Sequence, residues 1–189
     1  MKALENASFP AIAERVGALY NEEQDALLLA MLGQEYIVRH DGIFLRGQKA
    51  PESHASVILD YLFSSGTALT IMPWRTISDF PGARYANFRK NVELPVAQHA
   101  AEVITRAQAI LPMFDGTGVP SLIESDMAIT MRALPKVYLH VEMSQETQDF
   151  PSEAWILFSN NAHEFLSAES LHALGETFKD RLLGLIRIY

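Results

Sequence analysis

Cysteine is absent from the 189-residue sequence. That removes a disulfide framework, a thiol nucleophile, a zinc ribbon and a cysteine-ligated iron–sulfur cluster from this chain. Basic charge is scarce: 15 Lys and Arg stand against 23 Asp and Glu, a net charge of −8. A nucleic-acid partner is therefore not expected, because neutralising phosphates supplies most of that affinity. Long apolar runs are missing too. The longest uncharged stretch, Tyr61 to Trp74, has 14 residues with Ser, Gly, Thr and Pro among them. A membrane helix needs about 20 apolar residues, so no membrane span is expected. The first residues, Met1-Lys2-Ala3-Leu4-Glu5, lack the apolar run and small-residue cleavage site of a signal peptide. The expected compartment is the cytoplasm.

Apolar residues make up 49% of the chain and charged ones 20%, which fits a soluble globular domain and excludes disorder. No glycine period or long repeat marks a collagen or a solenoid. No interior stretch has the Pro, Gly and Ser density of a linker, so one domain spanning 1–189 is expected. The charge is uneven. From Val137 to Phe178 there are seven carboxylates (Glu142, Glu146, Asp149, Glu153, Glu164, Glu169 and Glu176) and no Lys or Arg. From Arg75 to Lys90 the bias reverses, with Arg75, Arg84, Arg89 and Lys90 against Asp79. These read either as two solvated surfaces or as an acidic face that docks a basic partner.

Ser8-Phe9-Pro10 marks a helix start, with Ile12, Val16 and Leu19 at helical spacing. Asn21 to Gln24 resembles a capped helix start, yet Ala26 to Leu32 is apolar at every position, as in a buried strand. Gln34 to His40 alternates, and Asp41-Gly42 is a hairpin signal, so strands are expected through 26–46. Pro51 opens a helix to about Ser64, with Val57, Ile58, Tyr61 and Leu62 on its buried stripe. An irregular segment, 67–82, follows. Tyr85, Phe88 and Val92 resume helical spacing until Pro95 breaks or kinks it, and a longer helix then carries Val96 to Ile110. Asp115 to Gly118 reads as a loop. Strands are expected near 126–131, 137–143 and 154–159, and a last amphipathic helix from about Ala168. The expected fold class is α+β, a single domain with a largely antiparallel sheet packed by four or five helices.

Catalytic signatures are few. The six histidines include no pair at i,i+4, the helical spacing that turns two imidazoles toward one cation. His99 with Glu102, and His140 with Glu142, are two-residue pairings only, and no metal site is expected. There is no Gly-x-Ser-x-Gly elbow, no Ser-x-x-Lys and no phosphate-binding glycine pattern. Asp79-Phe80-Pro81-Gly82 recurs as Asp149-Phe150-Pro151-Ser152, which is turn chemistry with an anchoring ring. Around the first copy, Trp74, Arg75, Arg84 and Tyr85 form a candidate pocket for an anionic, planar ligand. Arginine would supply forked donors and the aromatics a stacking surface.

Several short segments carry a family resemblance. They are Leu32-Gly33-Gln34-Glu35-Tyr36, Asp60-Tyr61-Leu62, Phe80-Pro81-Gly82 with Tyr85 and Phe88, Ala133-Leu134-Pro135, and Asp149-Phe150-Pro151-Ser152-Glu153-Ala154-Trp155-Ile156-Leu157-Phe158. Together they resemble an uncharacterised prokaryotic family, the domain of unknown function numbered three-seven-eight-six, common in anaerobic bacteria and methanogenic archaea. The family's acidic run before Phe-Pro is thinned here to Gln148-Asp149, and Ser159 stands where an acid is usual. A role belonging to that acid is not carried over. The resemblance implies a family some of whose members carry, or neighbour, iron–sulfur-cluster domains and corrinoid or one-carbon proteins. Lacking cysteine, this chain would leave any cluster to a partner.

The leading expectation is a non-catalytic cytoplasmic accessory domain that binds a ligand or partner, serving such an iron–sulfur or corrinoid system. Two alternatives stand beside it: a small metal-assisted hydrolase using scattered His and carboxylates, and a structural subunit that only dimerises. The sequence does not identify a cofactor or an oligomeric state.

Overall fold

Short segments joined by tight turns give hairpins, and residues 19–49 are built from them. The computed structural model describes residues 2–189. After the single turn α1 (Lys2–Glu5) and the helix α2 (Phe9–Val16) come β1 (Leu19–Asn21), β2 (Ala26–Met31), β3 (Gln34–Arg39), β4 (Gly42–Leu45) and β5 (Gln48–Lys49). Each strand pairs antiparallel with the next, forming a five-stranded sheet in sequence order. The 26–32 ambiguity thus resolves as a strand. Asn21, which reads as a helix cap, accepts the Gln24 N–H on its side chain at 3.1 Å and shapes the β1–β2 turn instead. Gly33, in the next turn, has φ +72°, and a Cβ there would stand 2.1 Å from the Met113 carbonyl oxygen. No other residue fits that position.

Helix α3 (Glu52–Phe63) buries the expected stripe of Val57, Ile58, Tyr61 and Leu62. The Tyr61 hydroxyl donates to Val16 O at 2.6 Å and accepts from Lys136 N at 3.0 Å, tying α3 to both halves of the chain. The irregular segment after it holds one 3-10 turn, Ile77–Asp79, before α4 (Tyr85–Phe88), a π-turn at Arg89–Glu93, and α5 (Leu94–Ala97). The break expected at Pro95 falls before it. Leu94 N donates to Arg89 O five residues back, and Pro95 occupies the first turn of α5, where its missing N–H is tolerated. The single longer helix expected next is also subdivided, into α6 (Ala100–Thr105), α7 (Ala107–Ile110) and a 3-10 turn, Leu111–Phe114. At that break the Thr105 hydroxyl back-bonds to Ala101 O at 2.8 Å, a contact that bends helices.

The antiparallel pairing expected is there, divided over two sheets, and the second lies later in the chain. It holds β6 (Gly116–Gly118), β7 (Met127–Leu134), β8 (Val137–Ser144) and β9 (Glu153–Phe158), antiparallel and in sequence order. β6 corrects the loop reading of 115–118: Gly-Thr-Gly has no apolar alternation, and only its pairing with Ile129–Met131 makes it a strand. The sheets meet where Leu32 N donates to Ala133 O at 2.8 Å. The outer edge of β9 is covered. Arg75 and Phe158 exchange backbone hydrogen bonds, and the Glu93 carboxylate accepts Ile156 N at 3.2 Å.

The chain ends with α8 (Ala162–Phe165) and α9 (Ala168–Ile186), whose cap, Ser167, accepts Ser170 N at 3.2 Å. Leu171, Leu174, Phe178, Leu182 and Ile186 form its buried stripe. Gly175 lets the buried Phe88 ring press on the α9 backbone: a Cβ there would lie 2.4 Å from the ring. One continuous core draws on both sheets, α2, α3 and α9, each fully buried large side chain contributing about 1.5–3 kcal/mol. The fold is α+β with antiparallel sheets. Among the described residues no helix is long and apolar enough to cross a membrane.

Candidate functional site

The four residues singled out around the first Asp-Phe-Pro go to different places. Neighbours in an irregular segment share no fixed side-chain direction. Trp74 lies over the second sheet and stacks on His140, ring centroids 5.1 Å apart. Arg75 is held by its backbone pairing to Phe158, and its Nε donates to Asn160 Oδ1 at 2.8 Å. Tyr85 opens α4 beside Arg89 and Glu93. Arg84 alone of the four lines a large cleft.

That cleft, about 610 Å³, lies between the Gly82–Asn87 stretch and the first half of α9. Phe80 anchors the near wall: it is buried and meets Phe158 edge-on, centroids 5.9 Å apart. The Phe88–Gly175 contact sets the spacing between α4 and α9. Opposite Arg84, α9 presents Glu169, His172 and Glu176, which fall on one helix face because they are three and four residues apart. His172 Nε2 and Glu176 Oε1 are 3.4 Å apart, and Asn91 Nδ2 donates to the same oxygen at 3.5 Å. Arg84 is exposed and has no side-chain hydrogen bond or ion pair among the described residues. The cleft therefore offers a free guanidinium on one wall and carboxylates on the other. Sequence reading had Arg84 but missed the α9 trio, although the spacing Glu169, His172, Glu176 was there to be read.

The other polar constellation is of a different kind. His140 and Glu142 alternate on the outer face of β8, and both are buried. Glu142 Oε1 accepts His140 Nε2 at 2.9 Å and Leu122 N at 2.7 Å, while Oε2 accepts the Ser121 and Ser125 hydroxyls at 2.5 and 2.6 Å. The other His140 nitrogen meets Thr130 Oγ1 at 3.1 Å. Burial pushes the Glu142 carboxyl up, but the donors from His140, Ser121, Ser125 and Leu122 outweigh it and hold its pKa at about 2. Every polar position of the pair is taken within the chain, and Trp74 roofs it.

The acidic tract does not form one face. Glu142 is inside, and Glu153 receives Arg89 Nη2 on both oxygens, at 3.0 and 2.8 Å. Glu146 and Asp149 are exposed in the loop between β8 and β9, beside Phe150, whose ring is 72% exposed. The second Asp-Phe-Pro thus anchors nothing, unlike the first. Ser159 is buried in the core and its hydroxyl accepts Tyr138 N at 3.1 Å, a clamp between β8 and the end of β9. No group of three or more His, Asp or Glu side chains gathers into a metal-binding arrangement among the described residues.

The family model described as Domain of unknown function (DUF3786) matches residues 8–181. This chain belongs to the DUF3786 family. No curated protein and no solved structure matches it. In this DUF3786 chain the segments that carried the resemblance are largely architectural. Gly33 admits the Met113 carbonyl, Tyr61 links three elements, and Phe80 with Phe88 shapes the cleft wall.

Proposed function

We propose that this DUF3786 domain is a non-catalytic binding module whose ligand occupies the cleft between Gly82–Asn87 and α9. The observation that supports this reading is Arg84: an unpaired guanidinium on a cleft of about 610 Å³, within the size range of small-molecule sites. The acid–base pair that an enzyme would use, His140 with Glu142, is instead fully engaged inside the fold. The ligand class follows from the two walls. An anionic group pairs with the Arg84 fork, and hydrogen-bond donors face Glu169 and Glu176.

The module is proposed to act as an accessory to a basic partner, with the iron–sulfur or corrinoid one-carbon setting implied by the family resemblance. The exposed Phe150, flanked by Glu146 and Asp149, favours docking through that loop: an aromatic anchor within a negative rim. The test is calorimetric titration with a panel of cofactors, corrinoids included. A binder whose affinity falls at least about tenfold in Arg84→Ala, with unchanged melting, supports the cleft. Absence of any binder, or full binding to Arg84→Ala, removes it.

A further inference from the structure

A second cavity, about 340 Å³, lies at the other end of α9, between that helix, the β4–β5 turn and the start of α3. Arg46 lines it from the turn, His54 from α3 and Arg181 from α9, with Leu45 and Leu185 supplying apolar wall. Neither arginine has an ion pair among the described residues, in a chain whose acids outnumber its bases 23 to 15. Asp180, which also lines the cavity, stands 3.0 Å from Lys179. The two guanidiniums thus face a cavity whose one lining carboxylate, Asp180, is paired with Lys179.

Each is placed in a way that packing alone does not account for. Arg181 donates Nη2 to Met113 O at 2.6 Å and lies 5.1 Å over the Phe114 ring, which fixes its plane. Its Nε is buried and has no partner. A buried unmet donor is costly, and a charged one more so. Burial, and then the nearby Arg46 charge, lower its affinity for its proton. Arg46 has φ +52° and is followed by Gly47 at φ +79°, a two-residue hairpin turn. Asn, Asp or Gly is favoured at that first position, so arginine is there against backbone preference. His54 bonds Tyr36 Oη through Nδ1 at 2.8 Å, leaving Nε2 without a partner among the described residues.

We propose that this cavity binds a small organic oxyanion, a carboxylate or a phosphate monoester, with its charged end between Arg46 and Arg181 and its carbon skeleton against Leu45 and Leu185. An oxyanion there neutralises two guanidiniums that have no ion pair among the described residues and relieves the repulsion between them, and forked pairing with an oxyanion is what arginine is suited to. The proposal stands apart from the Arg84 cleft and is tested separately.

The test is titration of the isotope-labelled full chain with benzoate, phenyl phosphate and neutral benzamide, reading the arginine Nε–H signals by nuclear magnetic resonance. Saturable movement of the Arg181 signal with one or both anions, and none with benzamide, is the expected result; which anion binds more tightly assigns the headgroup. Arg46→Gly removes one fork from a turn that prefers glycine. It should weaken binding at least about tenfold while leaving melting unchanged or raised. Arg84→Ala should bind as the parent does. No saturable shift with either anion, equal response to benzamide, undiminished binding by Arg46→Gly, or loss in Arg84→Ala would each overturn the proposal.

Discussion

Two glutamates are buried against the second sheet, and the difference between them organises the molecule. Glu142 meets four donors, two on each oxygen, and its pKa is held at about 2. Glu93, in the π-turn, accepts one backbone N–H on Oε1; its Oε2 has no hydrogen-bond partner, and Arg89 Nη1 stays 3.9 Å away. Burial raises the Glu93 pKa despite the Ile156 N–H and Arg89, which pull the other way. Both acids serve architecture, one by completing a network and one by covering a strand edge, but only the first is a satisfied anion. The arginines differ in a related way: Arg75 is bonded through its backbone and its Nε and Arg181 through Nη2, while Arg84 and Arg46 have no side-chain hydrogen bond among the described residues. Polar groups that complete one another build the fold. Arginines that line a cavity without an ion pair, Arg84 on one and Arg46 with Arg181 on the other, are where binding is to be sought.

The largest effect should come from emptying the satisfied network. Glu142→Ala leaves His140, Ser121, Ser125 and Leu122 N without their acceptor, and should cost about 3–5 kcal/mol in chemical denaturation. A loss below about 1 kcal/mol would make the network ornamental. Acid titration sharpens this. With a folded pKa of about 2 against an ordinary 4.5, Glu142 contributes stability that is fully present above about pH 4.5 and lost as pH falls through about 2. That contribution is on the order of 3 kcal/mol. In Glu142→Gln the acid-side slope should flatten; an unchanged slope would assign it to other carboxylates.

Glu93 should behave in the opposite sense. Its raised pKa means that its share of stability is present below the ordinary value and is lost as pH rises through the folded one. Glu93→Gln should therefore hold or gain up to about 1 kcal/mol at neutral pH, read as the denaturant midpoint. A strong loss would show that the carboxylate charge itself holds β9.

Much of this architecture was legible because it is local. Asp41-Gly42 announced its hairpin, Pro51 its helix, and the α9 stripe its buried face. What escaped is set at long range. Gly-Thr-Gly becomes a strand only beside β7, and division into two sheets depends on pairings that alternation does not encode. The His140–Glu142 alternation was visible, whereas Ser121 and Ser125, 21 and 17 residues before Glu142, were not. The proposed pocket of Trp74, Arg75, Arg84 and Tyr85 came from nearness in sequence, and the chain turns these side chains apart. Arg46 carries no site signal in the sequence because it sits in a hairpin turn, and Arg181, which lines the same cavity, is on the last helix.

Smaller effects separate the arginines. Arg75→Ala should cost about 1 kcal/mol through the lost Asn160 bond, and Arg84→Ala should stay within about 0.5 kcal/mol, both by thermal melting. Equal losses would erase the distinction between a bonded and an open guanidinium.

The most direct test of the binding-module reading is one calorimetric titration: the cofactor panel against the parent chain, Arg84→Ala and Arg75→Ala. The account predicts a saturable ligand that Arg75→Ala still binds and Arg84→Ala does not, with both variants folded. A ligand bound equally by all three, or none bound by the parent, would contradict it.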